Sequence, residues 1–541
     1  MRKIYLLLIP IVLCAMCISC GDDPNNPVIL PSGDVIIEFN AQNVIISNPF
    51  EKYGVKINNN GAHVEIKSTC TDEVTYILKG TTDDGSLKVY SNVRFELIMN
   101  GVAITNPNDP ALNIQSGKRV KITLAEGTSS HLKGGERFIS EGKGEDVKAA
   151  IFSEGQLIFD GTGSLTVSSR YRHAICSDDF IRIDGGHIII DMSAVDGLHA
   201  NQYIEVNDGT VEINSTSDGM DAEKGPVNLK GGLIKITTTG RKGHGIKSAT
   251  ETVVQTKGTI EIEVRGESSK GFNCAGDMQI SEGDIHIETS GDAIYDVEES
   301  NISSAVGIKC DGNLTIDGGN IVIVSSGLGG KCINVEETLT FNDGEITAIT
   351  TGDMFQHGND NTEAKAIKSN TDIVINGGLI YAFSRTHRGI DPNGSLTIAG
   401  GTVMAVASSS TQRAFDYGTT FSITGGTLLG IGGRASTPTA ALCTQYAVAY
   451  IGNIVQDDLL NITSPDEKNI LTCRLPCTLT RASILFGSPD LEKEATYTIS
   501  SGGSVSGGTM FNNLYFDAIY SDGTPVSKFT VSSILTTALP L

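Results

Sequence analysis

The sequence predicts an all-β fold, a right-handed parallel β-helix of about 12 coils, and three observations carry that expectation. First, one short phrase recurs about every 23 to 26 residues. Ile181-Arg182-Ile183-Asp184-Gly185-Gly186, Leu314-Thr315-Ile316-Asp317-Gly318-Gly319, Ile373-Val374-Ile375-Asn376-Gly377-Gly378 and Leu396-Thr397-Ile398-Ala399-Gly400-Gly401 are copies of it. Second, the apolar residues are β-branched and spaced by two, with Gly, Asn and Asp at the breaks. That pattern gives short strands joined by tight turns, where a helical repeat would show 3.6-residue spacing. Third, 62 Gly, no Trp and 6% aromatics suit a narrow core of stacked aliphatic side chains with Gly at the corners. A solenoid lengthens by adding coils that touch only their neighbours, so 541 residues do not by themselves require several domains.

Taken in order, Arg2 and Lys3 precede an apolar run from Ile4 to Met16, the layout of a secretory signal over residues 1–20. Ser19-Cys20 resembles the lipobox of bacterial lipoproteins, departing from it at Cys17, where that motif usually has Leu. Gly21-Asp22-Asp23 is similar to the tag that sends some Gram-negative lipoproteins to the outer face of the outer membrane. These resemblances imply lipidation at Cys20 and an outer membrane lipoprotein exposed on the cell surface. Residues 21–33, with Pro24, Pro27 and Pro31, are expected to be a tether. Residues 34–148 carry a weaker repeat, clearest at Arg94–Val102 and Val120–Leu124, and are expected to form an N-terminal cap and the first coils. The strong repeat occupies 149–435. Beyond it, Pro438, Pro465, Pro476 and Pro489 break the period, and 436–541 is expected to be a C-terminal β cap or small β domain.

A net charge of −23 and an isoelectric point near 4.8 argue against binding nucleic acid or an anionic membrane surface. No CxxC pair occurs and His is sparse, which disfavours a zinc site. Cys176, Cys274 and Cys310 are expected to share one repeated position as stacked small side chains. Cys473 and Cys477 are a candidate disulfide in an oxidising compartment.

In a parallel stack, equivalent positions form columns with side chains about 4.8 Å apart. Each coil has a small-plus-apolar step, such as Gly245-Ile246, and the residue before it reads His173, Asp196, Asp218, His244, Lys270, then Lys331, Lys365, Arg388 and Arg413. Two positions beyond the small residue the column reads His199, Asp221, Lys247, Asn273, Lys309, Asn334, Lys368, Asp391 and Asp416. Asp196 and Asp218 are thus predicted to lie one above the other, with Asp221 and Glu223 close by. Stacked carboxylates repel unless a cation intervenes, so they form a candidate Ca²⁺ site, and Asp292 and Asp296 repeat the pattern. Lys247 and Lys309 are the candidate bases for abstracting a proton from a uronic acid, a role that needs a depressed pKa. Lys270, Lys331, Lys365, Arg388 and Arg413 make a basic stripe suited to an anionic polymer, and Tyr295 and Tyr381 are candidates for stacking on a sugar. Two longer intervals, Gly271 to Gly307 and Cys332 to Ala366, place insertions at roughly 293–306 and 353–365 on one corner, where solenoids commonly bind.

With these features in view, the chain resembles the bacterial carbohydrate-binding β-helix proteins related in fold to pectate lyases. The matching elements are Phe95–Thr105, the coils from Ala149 to Gly433, and Gly487–Lys493 with Tyr497-Thr498-Ile499. The resemblance implies calcium on the helix, at Asp196, Asp218, Asp221 and Asp292, and recognition of acidic or plant-type polysaccharide without evident catalysis. The expected function is therefore a calcium-dependent, monomeric, polysaccharide-binding surface lipoprotein. The alternatives are a lyase acting on uronic-acid polymers by β-elimination and a cell-surface adhesin.

Overall fold

The computed structural model describes residues 31–540; the signal, Cys20 and most of the tether lie outside the described residues. The expected parallel β-helix is present, with virtually no helix and about 15 turns. The count exceeds the 12 expected because the weak repeat before residue 149 already builds coils. Ala62–Ser68, Gly85–Ser91 and Leu112–Ile114 stack in parallel below Ala149–Ser153. The N-terminal edge is closed by two antiparallel pairings, Val35–Asn40 with Asn43–Ser47 and Val55–Asn60 with Ala62–Ser68.

Each main coil contributes three strands, one to each of three parallel ladders. In the coil at 198–215 these are Leu198–Ala200 on the first face, Ile204–Val206 on the second and Thr210–Ser215 on the third. The alternation in the sequence is the cause: Ile181 and Ile183 point inward and are fully buried while Arg182 points out. In register above Ile181 lie Ile204, Val227, Val253, Met278, Leu314, Leu339, Ile373 and Leu396, a continuous aliphatic row. Each such side chain contributes about 1.5–3 kcal/mol of burial.

The second Gly of the recurring phrase supplies a left-handed corner, with φ of +87° at Gly186 and +91° at Gly319. Asn342 Nδ2 donates to Asp317 Oδ1 at 2.7 Å and Asn376 Nδ2 to Asn342 Oδ1 at 2.8 Å, so the Asp/Asn before the glycines forms a hydrogen-bonded ladder between coils. The small residue of the small-plus-apolar step faces the third ladder at close range. A Cβ on Gly219 would sit 2.4 Å from Ile236 Cγ2 and 2.6 Å from Gly245 O.

Residues beyond 436 do more than close an end. Leu479–Gly487 pairs antiparallel with the last coil strand, Thr427–Gly432, and Ala447–Ile454 extends that sheet. A separate six-stranded antiparallel sheet packs on it. Between them lies a second core that also covers the outer side of the third face, taking in Tyr381, Met404, Leu429, Phe486 and Tyr497. Tyr381 is 4% exposed there, so it cannot stack on a sugar as expected; it is a wall of this core.

The cysteines need two corrections. Cys274 lies opposite Cys310 as expected, but Cys176 lies opposite His199, one column outward, beside Ala149 and Phe152. Cys473 and Cys477 are both buried free thiols, the former within Asn469–Arg474, rather than a disulfide.

Candidate functional site on the first face

The strand register fixes both outward columns. His173, Asp196, Asp218, His244 and Lys270 stand in successive coils, Val306 interrupts, and Lys331, Lys365, Arg388 and Arg413 follow. The neighbouring column runs His199, Asp221, Lys247, Asn273, Lys309, Asn334, Lys368 and Asp391. The first column is also part of the scaffold. Asp196 Oδ1 accepts the Asp218 amide at 3.0 Å, Asp218 Oδ1 accepts the His244 amide at 2.7 Å, and His244 Nδ1 accepts the Lys270 amide at 3.1 Å. A side-chain acceptor thus serves the next coil's backbone N–H, which would otherwise be a costly buried orphan.

The Asp cluster expected from the sequence forms. Ligand-type oxygens of Asp196, Asp218 and Asp221 all lie within 4.8 Å of one another, and the three residues are buried. The cations between them are protein groups. Asp196 Oδ2 lies 3.1 Å from both His173 Nδ1 and His199 Nδ1, and Lys247 Nζ lies 3.1 Å from Asp218 Oδ2 and 3.2 Å from Asp221 Oδ2. Burial would raise Asp196, but its hydrogen bonds to the two histidines outweigh it and hold the carboxyl well below the usual range. Asp218 is pushed up to about 7 by burial and by Asp196 and Asp221, against the pull of Lys247. His199 is raised to about 9, because its bonds to Asp196 and Asp221 overcome burial.

The other expected ligands do not join. Glu223 is exposed. Asp292 Oδ1 accepts the Leu328 amide at 2.7 Å, and Asp296 pairs with Lys242 at 2.5 Å. Among the described residues none of these three belongs to a cluster of three metal-type donors.

Lys247 lacks the depressed pKa the role requires, and Lys309 is held in ion pairs. Burial would lower Lys247, yet Asp218 and Asp221 together raise it, and Lys309 Nζ is paired at 2.5 Å with both Asp311 and Glu336. The depressed lysines are others. Lys270 is brought down to about 8 by burial, with Lys309 and Lys242 adding to the effect; its Nζ donates to Ser268 O at 2.8 Å and Ser303 Oγ at 3.1 Å. Lys331 comes down to about 7 through burial, with Lys365 and Lys368 nearby. Lys368 comes down to about 8, again chiefly through burial.

The stripe is therefore not a row of free surface cations. Lys331 is 7% exposed, Lys365 pairs with Asp391 at 2.5 Å and Glu363 at 3.2 Å, and Arg388 reaches Asp416 at 2.5 Å and also binds Glu363. Arg413 pairs with Asp416 at 3.2 Å. Even so, Lys331, Lys365, Lys368, Arg388 and Arg413 share only Glu363, Asp391 and Asp416 as close carboxylates, apart from Glu336, which pairs with Lys309. Lys365, Arg388 and Arg413 are thus matched one for one by these carboxylates, and the two amines left over, Lys331 and Lys368, are buried.

Both insertions rise from the same corner as expected, each as a hairpin: Ile294–Asp296 with Asn301–Ser303, and Phe355–His357 with Asp360–Thr362. They brace each other. Tyr295 stacks on His357 with centroids 4.3 Å apart, and Ser304 Oγ lies 3.3 Å from Thr362 Oγ1. Lys331 Nζ ties both hairpins from beneath, donating to Ser304 Oγ at 2.7 Å and Thr362 Oγ1 at 2.8 Å. The first face is thus a charged floor with an aromatic-bearing wall along one side. Sequence reasoning placed His173 and His199 in the columns but did not foresee their convergence on one Asp196 oxygen. The only signal for it was their one-coil offset.

The family model of carbohydrate-binding domain-containing proteins matches residues 60–353 and 303–412. A carbohydrate-binding domain-containing protein of Acetivibrio thermocellus is 32% identical over 118 residues, which is 21% of this chain and 41% of the relative. This chain thus spans about two fifths of the length of the curated relative it matches. A solved structure, described as a polysaccharide lyase-like protein from C. thermocellum in a gadolinium derivative, aligns over 52% of this chain and 97% of its own at 22% identity. Its TM-score of 0.38 is too low to bear on the site's chemistry. The family match covers well over half of the 541 residues and both outward columns up to Lys368 and Asp391, and the chain belongs to the family of carbohydrate-binding domain-containing proteins.

Proposed function

We propose that this protein holds an acidic polysaccharide along the first face, as a non-catalytic binding protein. The observation that carries the reading is the row Lys365, Arg388 and Arg413 in successive coils, beside the hairpins that carry Tyr295 and His357. A carboxylate-bearing polymer matches it because Arg388 and Arg413 can exchange their intramolecular carboxylates for bidentate contacts with uronate groups. The half-buried Tyr295 offers a ring face to a sugar. Display at the surface through a lipid on Cys20 belongs to the same proposal, supported by the residue pattern around Ser19-Cys20.

Calcium dependence has a weaker footing in the donor set. Ca²⁺ takes six to eight oxygens. Here Asp196 and Asp218 have both oxygens engaged, Asp221 Oδ2 is held by Lys247, and only Asp221 Oδ1 is buried without a partner. Calcium at this cluster would have to displace the Lys247 ammonium, so the residues as arranged do not fit it.

The lyase reading keeps one specific support, the depressed lysines on the same face, Lys270, Lys331 and Lys368. The test is to incubate the purified protein with uronic-acid and neutral polysaccharides, with calcium or with chelator, and to read retention and ultraviolet absorbance of an unsaturated product together. Retention on the uronic polymers without absorbance is expected. Rising absorbance would replace the binding reading with a lyase, and retention that survives only on a protein target would replace both with an adhesin.

A further inference from the structure

We infer that a cavity at the N-terminal end of the first face, floored by Ser86 and Asn113, is a binding site for one uncharged sugar residue of a neutral polysaccharide. The cavity holds about 300 Å³, room for a single pyranose ring, and lies where Gly85–Ser91 and Leu112–Ile114 stack in parallel. Its rim is built by the turn after Phe95–Thr105. Asn106 Oδ1 accepts the amides of Asn108 and Asp109, each at 3.1 Å, and Asn106 Nδ2 donates to Pro110 O at 2.8 Å, so one side chain closes the turn and sets Asn108 on the rim.

The wall is the segment 138–148, tied down on both sides. The Ile139 amide donates to Asn108 O at 2.9 Å and the Ser140 hydroxyl to Asp109 Oδ1 at 2.6 Å. Further along, Glu145 accepts from Lys88 Nζ at 2.8 Å and from Tyr90 Oη at 2.5 Å. The site is therefore formed before any ligand arrives, and little ordering is left for binding to accomplish.

A buried side chain points to the ligand. Asn113 lines the cavity and is 5% exposed. Gln115 Nε2 donates to Asp146 O at 2.8 Å and to Asn113 Oδ1 at 2.7 Å, which fixes the orientation of the Asn113 amide and leaves Nδ2 over. Among the described residues nothing accepts from that Nδ2. A buried donor left unpaired costs free energy that a ligand hydroxyl would recover. Beside it Ser86 Oγ, 3.0 Å from His63 Nδ1, both gives and takes hydrogen bonds, and Ile139, 46% exposed, offers an apolar contact to the C–H groups of a sugar ring.

The charged groups around the cavity are already engaged: Lys88 with Glu145, Asp109 with Ser140, and Asp84 at 3.3 Å from His63 Nε2. Hydrogen-bonding groups with no unpaired charge suit the hydroxyls of a neutral sugar, the opposite selection to that of the row from Lys365 to Arg413. Leu112–Ile114 lies nine steps along the same ladder from Lys365–Ser369, about 43 Å at 4.8 Å per coil, so this site is independent of the acidic-polymer reading and either can fail without the other. The family match begins at residue 60 and takes in His63, Ser86 and Asn113.

The test is calorimetric titration of the purified protein with tetrasaccharides of β-1,4-linked glucose, mannose, xylose and galactose, and with a galacturonic acid tetramer as competitor. Saturable binding of at least one neutral tetramer, one per chain, is expected. Asn113→Asp, which keeps the acceptor for Gln115 and removes the donor, should weaken it at least tenfold, while Arg388→Gln leaves it unchanged. If the Asn113 variant fails to fold, Ser86→Ala decides, with a loss of the same size expected. The inference is overturned if no neutral tetramer binds saturably, if the galacturonate tetramer displaces the neutral one, or if the folded variants bind it as well as the parent does.

Discussion

Replacing Lys331 with Met removes a buried ammonium that has no carboxylate within bonding distance. Its Nζ bonds Ser304 Oγ, Thr362 Oγ1 and, at 3.3 Å, Gly329 O, all neutral groups. Burial, with Lys365 and Lys368 beside it, takes its pKa from 10.5 to about 7. Between those values the folded protein binds fewer protons than the unfolded chain, so stability is lowest below pH 7 and rises as pH climbs toward 10.5. At about 1.4 kcal/mol per pKa unit the span sets an upper bound of about 5 kcal/mol, and relaxation of a real interior brings the expected gain to about 2–3 kcal/mol. Met of similar volume removes that contribution to the slope. At pH 7 the lost hydrogen bonds and the recovered desolvation offset each other to within about 1 kcal/mol.

A solenoid opens locally rather than all at once, so the assay is amide hydrogen exchange across Val306–Cys310 and Lys331–Val335 from pH 7 to 9.5, corrected for intrinsic exchange. Opening free energies should rise with pH in the parent and rise less steeply in the variant, where Lys270 and Lys368 still titrate. An unchanged slope in Lys331→Met, or a loss of more than about 3 kcal/mol at pH 7, would refute the reasoning and make the ammonium a structural cation.

Two further outcomes follow from packing and charge. Gly219→Ala drives a methyl against Ile236 and the Gly245 carbonyl, so it should cost about 1–3 kcal/mol and lower the thermal midpoint, whereas a change within a few tenths would show that the corner is slack. Arg388→Gln strips the guanidinium shared by Glu363, Asp391 and Asp416, and should weaken retention on a polyuronate about tenfold, about 1.4 kcal/mol, while leaving any neutral-polysaccharide retention unchanged. Affinity electrophoresis reads both polymers, and an equal loss on each would point to misfolding rather than charge.

Much of the architecture was legible because the repeat is a direct consequence of coil geometry. Ile181, Leu314, Ile373 and Leu396 fell into one row, and the His173 and His199 columns came out in register with only Val306 intervening. Cys176 was misplaced by one residue, and in a strand a shift of one reverses the face. Tyr381 was misread because its outward position in the coil is correct; what covers it is a second core built from residues some 65 to 150 positions later. The pairing of the basic stripe was only half foreseen: the columns set Asp391 and Asp416 beside it, but Glu363, from the second insertion, reaches Lys365 and Arg388 only in three dimensions.

The sequence by itself determined the period, the inward and outward faces and the order of charges along the rod, since a parallel stack converts chain spacing directly into distance. Only the tertiary structure decided how those charges are paired: two histidines meeting on one Asp196 oxygen, Lys247 neutralising Asp218 and Asp221, and Lys331 sealed beneath two hairpins. Which partner a side chain reaches depends on rotamer, burial and neighbouring coils, and these together set whether a group in a column is a free ligand, a fixed support or a proton-sensitive contact.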